Sequence, residues 1–359
     1  MDNLPLMGLR ALDLSRLLPG PYCTSMLSDL GCEVIKVEDP VLGDYYRELV
    51  PEAFASLNRD KKSVTLDLKK EEEKERFYQL VKSSDVLVES YRPGVTQRLG
   101  ISYAVLSSIH PGLIYVSLTG YGQEGPYAML PGHDINYFGA AGLLGYSGTE
   151  EQPYDIPSYM TIADLNASSF GLSAILVALL QRKETGKGQY IDLSITDCAV
   201  SWMGRYLNEP PRRKTDRANT PGYGVFLTSD GRYISLACIE EKFWQGLCRI
   251  LGEDFAKRSR ELPAAEVNGL IAESIKGRPL EHWRKVFGNE IPYGMVNDPG
   301  NLMDDPHLKE RNLFFTDATG LRYVRYPVSF SGFSYRSEHL SAPYRGQHNS
   351  EWEDLLRSQ

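Results

Sequence analysis

Along the first two hundred positions, apolar residues fall in short blocks separated by longer amphipathic stretches. Arg10–Leu14, Glu33–Val37, Ser63–Leu66, Asp85–Glu89 and Leu113–Leu118 are rich in Val, Ile and Leu, and each reads as a strand. Between them Tyr22–Leu30, Lys70–Val81 and Tyr103–His110 carry helical patterns, the first stopped at Gly31. Nearly continuous apolar strands alternating with helices predict an α/β fold, a parallel sheet covered on both faces. Ala163–Arg182 is the strongest helical pattern, closed by Thr185–Gly188, and Tyr190–Ile195 supplies one more strand.

The pattern changes at Asn208–Pro221, which is polar, charged and rich in proline and reads as a linker. Beyond it, Gly224–Thr228 and Arg232–Cys238 flank the turn Ser229-Asp230-Gly231 as a hairpin. Lys242–Leu251, Ala264–Lys276 and Leu280–Phe287 follow as helices. The organisation predicted is a large domain over 1–207, a linker over 208–222 and a small α+β domain over 223–320. The segment 321–359, again β-like and then irregular, returns to the large domain.

Bulk composition narrows the function classes. The 359 residues include 42% hydrophobic and 24% charged positions, which is ordinary for a soluble globular chain. A net charge of −8 argues against a nucleic-acid binder and against attachment to an anionic membrane. Any phosphate-bearing ligand must then be held by local cations. Five cysteines form no CxxC pair and six histidines show no metal-ligand spacing, as expected of reduced thiols in a metal-free cytoplasmic protein. The N-terminus lacks a charged-then-apolar signal pattern, and the C-terminal Arg-Ser-Gln does not read as a peroxisomal tripeptide. The charge-free run Leu165–Gln181 is short for a membrane span and reads as a buried helix.

Candidate chemistry is scattered. The turn Ser15–Pro21 after the first strand lacks GxGxxG, and its two prolines remove N–H donors that a pyrophosphate would use. Nicotinamide and flavin chemistry are disfavoured, although Glu38 sits where a ribose-binding acid would. Asn58–Lys62 and Ser90–Gly94 with Arg98 are two basic loops expected at ligand-binding ends of the sheet. Either is a polyphosphate site or solvated surface charge. His133 lies in Pro131–Tyr137, read as a loop that follows the glycine-rich Gly120–Pro126, with Asp134 either its partner or a neighbour. Asp164 opens the strongest helix and is read as its cap, a place aspartate favours and where its ionised form is stabilised. A histidine and a separate carboxylate are the minimum set for taking a proton from a carbon and returning it on the other face.

Gly8–Ser15, Asp29–Glu38, Ser63–Lys69, Gly120-Tyr121-Gly122-Gln123-Glu124-Gly125-Pro126 and Thr185–Gln189 together resemble the class III CoA-transferase superfamily over nearly the whole chain. Gly132-His133-Asp134-Ile135-Asn136-Tyr137 resembles its α-methylacyl-CoA racemase branch. The resemblance implies a large Rossmann-like CoA-binding domain, a small domain and an interlocked homodimer, with the active site between the large domain of one subunit and the small domain of the other. It implies His133 and Asp164 as an acid/base pair, with Glu240 orienting the histidine. CoA contacts are implied at Leu66, Asp67, Leu68, Lys69, Ser90, Tyr91, Arg92, Arg98, Gly132, Asp134, Ile135, Asn136 and Tyr137. One departure is Asp39, which stands where racemases often carry an arginine for the CoA nucleotide; Arg59 or Lys62 is expected to substitute. The leading expectation is therefore epimerisation of a 2-methylacyl-CoA through an enolate, with no cofactor beyond CoA carried as the substrate thioester. Two alternatives stay open: CoA transfer through an Asp164 anhydride, and acyl-CoA binding without catalysis.

Overall fold

A computed structural model describes residues 4–146, 160–208, 220–336 and 338–351. The chain forms two compact units. The larger takes in Met1–Leu143, Ser158–Asn208 and Arg311–Gln359, the smaller Leu144–Pro157 and Glu209–Glu310. Most of the expected linker, 209–219, lies outside the described residues.

The larger unit is built on six parallel strands: β1 (Arg10–Asp13), β2 (Glu33–Glu38), β3 (Lys62–Thr65), β4 (Val86–Glu89), β5 (Ile114–Thr119) and β6 (Tyr190–Ser194). Their spatial order is β3-β2-β1-β4-β5-β6. This is the doubly wound order, in which the chain reverses direction between β1 and β4. Register places Leu12 between Ile35 and Leu87, and these join Val64, Phe77, Leu80 and Tyr115 in one buried cluster.

The helices of this unit are α1 (Pro19–Asp29), α2 (Tyr46–Leu49), α3 (Pro51–Asn58), α4 (Glu71–Lys82), α5 (Val95–Leu99), α6 (Tyr103–Ile109), α7 (Asp134–Ala140), α8 (Ile162–Thr185) and α9 (Ile195–Ser201). α1 starts three residues before the apolar pattern, because Pro19 suits a first turn whose N–H groups are unpaired anyway. It stops ahead of Gly31, whose φ of 102° suits glycine. α3, α7 and α9 are too short to show a helical period in sequence.

Two of these helices change the site. Pro131–Tyr137, expected as a loop, starts a helix at Asp134 with His133 as its N-cap residue. α8 begins at Ile162, so Asp164 is the third residue of its first turn, not the residue ahead of it. By length and composition α8 is the one described helix able to cross a membrane. Its small residues Ala163, Ala167, Gly171 and Ala178 are buried, which lets it lie closely on α1 and β5. A Cβ on Gly171 would stand 3.0 Å from Cys23 Sγ.

The smaller unit has an antiparallel sheet of β7 (Tyr223–Leu227), β8 (Tyr233–Ala237) and β9 (Tyr293–Met295). It is covered by α10 (Glu241–Leu251), α11 (Glu253–Arg258), α12 (Ala264–Lys276) and α13 (Leu280–Phe287), around a core that includes Ile234, Leu247, Ile271 and Phe287. α14 (Pro306–Glu310) ends it.

From Arg311 the chain belongs again to the larger unit, adding the hairpin β10 (Phe314–Thr316) and β11 (Arg322–Val324). The following segment runs along β3, the sheet's edge strand. His348 Nδ1 accepts the Ser63 N–H (3.1 Å) and Asn349 Oδ1 the Thr65 N–H (2.9 Å). An otherwise open edge is thereby covered.

Candidate active site

In a parallel sheet, loops that follow strands share one edge and loops that precede them share the other. The carboxyl edge therefore collects Ser15–Leu18, Asp39–Asp44, Leu66–Lys69, Ser90–Arg98 and Gly120–His133. That edge, at the β1/β4 reversal, is where open α/β sheets bind ligands.

Arg59 and Lys62 stand on the opposite edge, which corrects the expectation that one of them meets the CoA nucleotide. Both come at the start of β3. Arg59 is 5% exposed, and its Nη2 donates to both Asp29 carboxylate oxygens at 2.6 and 2.7 Å. Its guanidinium also lies 5.5 Å from the Phe315 ring centre, so Arg59 is a buried brace for the returning hairpin. Lys62 Nζ pairs with Glu33 at 3.0 Å. Glu38, the ribose-acid look-alike, is buried against Arg47 and Ser63.

Among the other expected CoA contacts, Leu66 and Leu68 turn their side chains into the core, leaving only backbone to a ligand. Asp67 folds back to accept the Lys69 N–H (3.2 Å), while Lys69 is exposed. Ser90 Oγ accepts the Arg16 N–H (3.2 Å), and the Tyr91 N–H is held at 2.7 Å by Glu89. Burial pushes the Glu89 carboxyl up to about 7. Arg92 and Arg98 are exposed and form no ion pair among the described residues.

The glycine-rich loops close around Tyr137. This side chain is 7% exposed, its hydroxyl donates to the Gly132 carbonyl (2.6 Å), and its ring meets Tyr121 edge-on at 5.2 Å. A Cβ on Gly120 or Gly132 would fall 2.4 or 2.7 Å from that ring. Tyr137 thus anchors the loop from below, while Ile135 and His133 stay exposed.

His133 and Asp164 begin adjacent helices, and Asp134 joins them. Asp134 Oδ1 accepts the N–H groups of Ala163 (2.7 Å) and Asp164 (3.1 Å), two donors that the first turn of α8 cannot pair internally. Asn136 Oδ1 accepts the His133 N–H (2.9 Å), and the His133 side chain faces the Asn136 N–H in return, as a capping box. The Asp164 carboxylate is unpartnered among the described residues, and burial, with the nearby Asp134 charge second, pushes it up to about 7. Ser168 Oγ donates to the carbonyls of Asp164 and Pro19, both at 2.8 Å, fixing this turn beside the β1 loop. The site therefore offers a desolvated carboxyl and an exposed imidazole, one suited to nucleophilic or proton-transfer chemistry and the other to proton transfer. Glu240 lies in the smaller unit, exposed, as the N-cap residue of α10.

Beneath the edge lies a charge network that the sequence reading missed. Lys36 Nζ meets Asp44 at 2.9 Å and Asp13 at 3.8 Å, and Lys61 Nζ meets Asp13 at 2.9 Å, all four side chains being fully buried. Burial works against ionising Asp13, but Lys36 and Lys61 hold it well below the carboxylate range. Asp44 Oδ1 in turn accepts the Leu17 N–H at 3.0 Å. The available signal was charge inside apolar blocks: Asp13 and Lys36 interrupt strands that are otherwise buried. Elsewhere, Asp29, Asp60 and His339 cluster as metal ligands do, but Arg59 occupies Asp29 while His339 and the Leu340 N–H occupy Asp60.

Comparison with known proteins agrees with this architecture. The model of CoA-transferase family III matches residues 6–349. The chain is 32% identical over 355 residues to the succinyl-CoA–L-malate CoA-transferase alpha subunit of Chloroflexus aurantiacus, covering 91% of this chain and 82% of that protein. It is 31% identical over 378 residues to the human succinyl-CoA:glutarate CoA-transferase, covering 98% and 86%. Among solved structures, a CaiB/BaiF family protein from Brucella suis superposes with a TM-score of 0.87 at 30% identity, covering 99% of this chain and all of that one. On these grounds the chain belongs to CoA-transferase family III.

Proposed function

We propose that the protein moves CoA between carboxylic acids, with Asp164 as the nucleophile. The observation that carries this reading is a desolvated carboxyl in the first turn of α8, on the ligand edge of the sheet and without a partner among the described residues. The names of these two relatives, CoA-transferases acting on succinyl-CoA with malate or glutarate, support it and point to dicarboxylic acids as the substrate class.

The steps balance. An Asp164 oxygen attacks the thioester carbonyl, the C–S bond breaks, and an acyl–aspartyl anhydride and CoA thiolate result. The thiolate attacks the aspartyl carbonyl, releasing the donor acid and leaving CoA as a thioester on Asp164. The acceptor carboxylate repeats the sequence in reverse and restores Asp164. No proton, electron or water is consumed, so the site must keep water from the anhydride. Purified protein incubated with succinyl-CoA and a panel of dicarboxylic acids should pass CoA to at least one of them. Hydroxylamine added during turnover should label Asp164 as its hydroxamate. Transfer that survives in Asp164→Ala would overturn the reading.

A second reading is favoured by one observation, the exposed imidazole of His133 at the start of the neighbouring helix. There His133 and Asp164 exchange the α-proton of a 2-methylacyl-CoA, and Glu240 keeps the orienting role that the resemblance implies. Deuterium entering the α-carbon in heavy water, without CoA transfer, would decide for it. CoA binding with neither reaction would leave a non-catalytic binder.

We propose further that the active form is a homodimer. α8 supports this, because Phe170, Val177 and Leu180 stay 42%, 64% and 68% exposed along it. Five free cysteines fit the cytoplasmic setting proposed for it.

A further inference from the structure

We infer that Arg16 receives a phosphate of the CoA nucleotide, a contact that Asp39 and Arg59 do not provide. The inference rests on the CoA reading above. Arg16 follows β1, and its N–H reaches Ser90 Oγ beyond β4 (3.2 Å), so it bridges the two strands between which the sheet reverses. Its guanidinium lies over the rings of Tyr45 (5.1 Å) and Tyr91 (5.7 Å), and Nη1 donates to the Tyr45 hydroxyl at 3.0 Å. Rings and a phenol hold a guanidinium without neutralising it, and among the described residues four of its five N–H donors have no acceptor. No carboxylate pairs with it among the described residues, whereas Arg47, Arg59 and Arg182 each have one.

Asp39 does not cancel this charge. Its Oδ1 is spent on the N–H groups of Leu42 and Val41, each at 2.8 Å, in its own turn. The Leu42 N–H foremost, with Val41, Lys69 and Arg16, holds its carboxyl below the ordinary range. Asp39 thus faces both Lys69 and Arg16 with one oxygen already committed to its own turn. The loop is also fixed in advance. Leu17 has φ 64°, a conformation rare outside glycine, and its N–H is held by Asp44 on the buried Lys36 network. A preset cation of this kind binds without an ordering cost.

The test is calorimetric binding of CoA, 3′-dephospho-CoA and pantetheine to wild type, Arg16→Gln and Arg16→Lys, with thermal melts to confirm folding. Arg16→Gln should lose about 10- to 100-fold in CoA affinity, the range of one charge-assisted hydrogen-bonded contact, and bind pantetheine as wild type does. Arg16→Lys should recover part of the loss, since an ammonium keeps the charge without the fork. A loss shared by dephospho-CoA places Arg16 at the diphosphate, and a loss confined to CoA places it at the 3′-phosphate. Equal losses for all three ligands would make Arg16 a clasp between loops and overturn the assignment, as would unchanged CoA affinity. Wild type that binds CoA but transfers none would end the transferase reading alone. Wild type that binds none of the three would end both.

Discussion

Asp134 shows how one side chain sets the chemistry of another. Its carboxylate caps α8 and, by the same proximity, helps burial raise Asp164 to about 7. In CoA transfer the ionised form of Asp164 attacks, so kcat/KM should rise with pH through about 7. Asp134→Asn keeps an acceptor oxygen for the Ala163 and Asp164 N–H groups but removes the like charge. Its pH profile should move to lower pH with the maximum rate largely kept, and an unmoved profile would show that burial alone sets Asp164. The residue types at 133 and 164 were legible in the sequence. Their surroundings were not, because Asp134 reaches Asp164 across thirty positions that no local pattern links.

At the scale of elements, the loop ahead of α7 depends on close packing against one ring. Gly132 has room for no Cβ, since Tyr137 lies 2.7 Å from that position and is pinned in turn by Tyr121. Gly132→Ala should therefore cost about 1–3 kcal/mol of stability, as overpacking does, and raise KM for the acyl-CoA. Tyr137→Leu in the same chain should return part of the loss, so that the double-mutant cycle in denaturant melts shows coupling between the two sites. Additive losses would mean that the ring is not what Gly132 accommodates. Long elements such as α8 and β5 were readable from apolar spacing, whereas α7 was not. Its seven residues make under two turns, and its first turn is stabilised by Asn136 and the packed Tyr137 rather than by an apolar stripe.

At the scale of the whole molecule, the larger unit is finished by a segment far away in sequence. His348 and Asn349 pair two N–H groups of β3 that would otherwise face solvent at an open edge. Replacing both by alanine should cost on the order of 1–3 kcal/mol, the usual penalty for unpaired donors, and should promote self-association through the edge. Denaturant melts and light scattering would read the two effects, and an unchanged midpoint would deny the segment a structural role.

The sequence by itself determined the alternation of strands and helices, hence a parallel sheet with a ligand edge, and the residues able to do chemistry there. Apolar periodicity and turn residues act over a few positions, so that information is local. Tertiary structure alone decided which charges are available. Arg59 and Lys62 read like ligand residues but stand on the far edge, paired with Asp29 and Glu33. Arg16, passed over in the sequence, stands at the reversal between β1 and β4 with no carboxylate partner among the described residues. Whether a cation meets a carboxylate or a ligand depends on strand order and on which end of a strand it precedes, and both arise from long-range pairing.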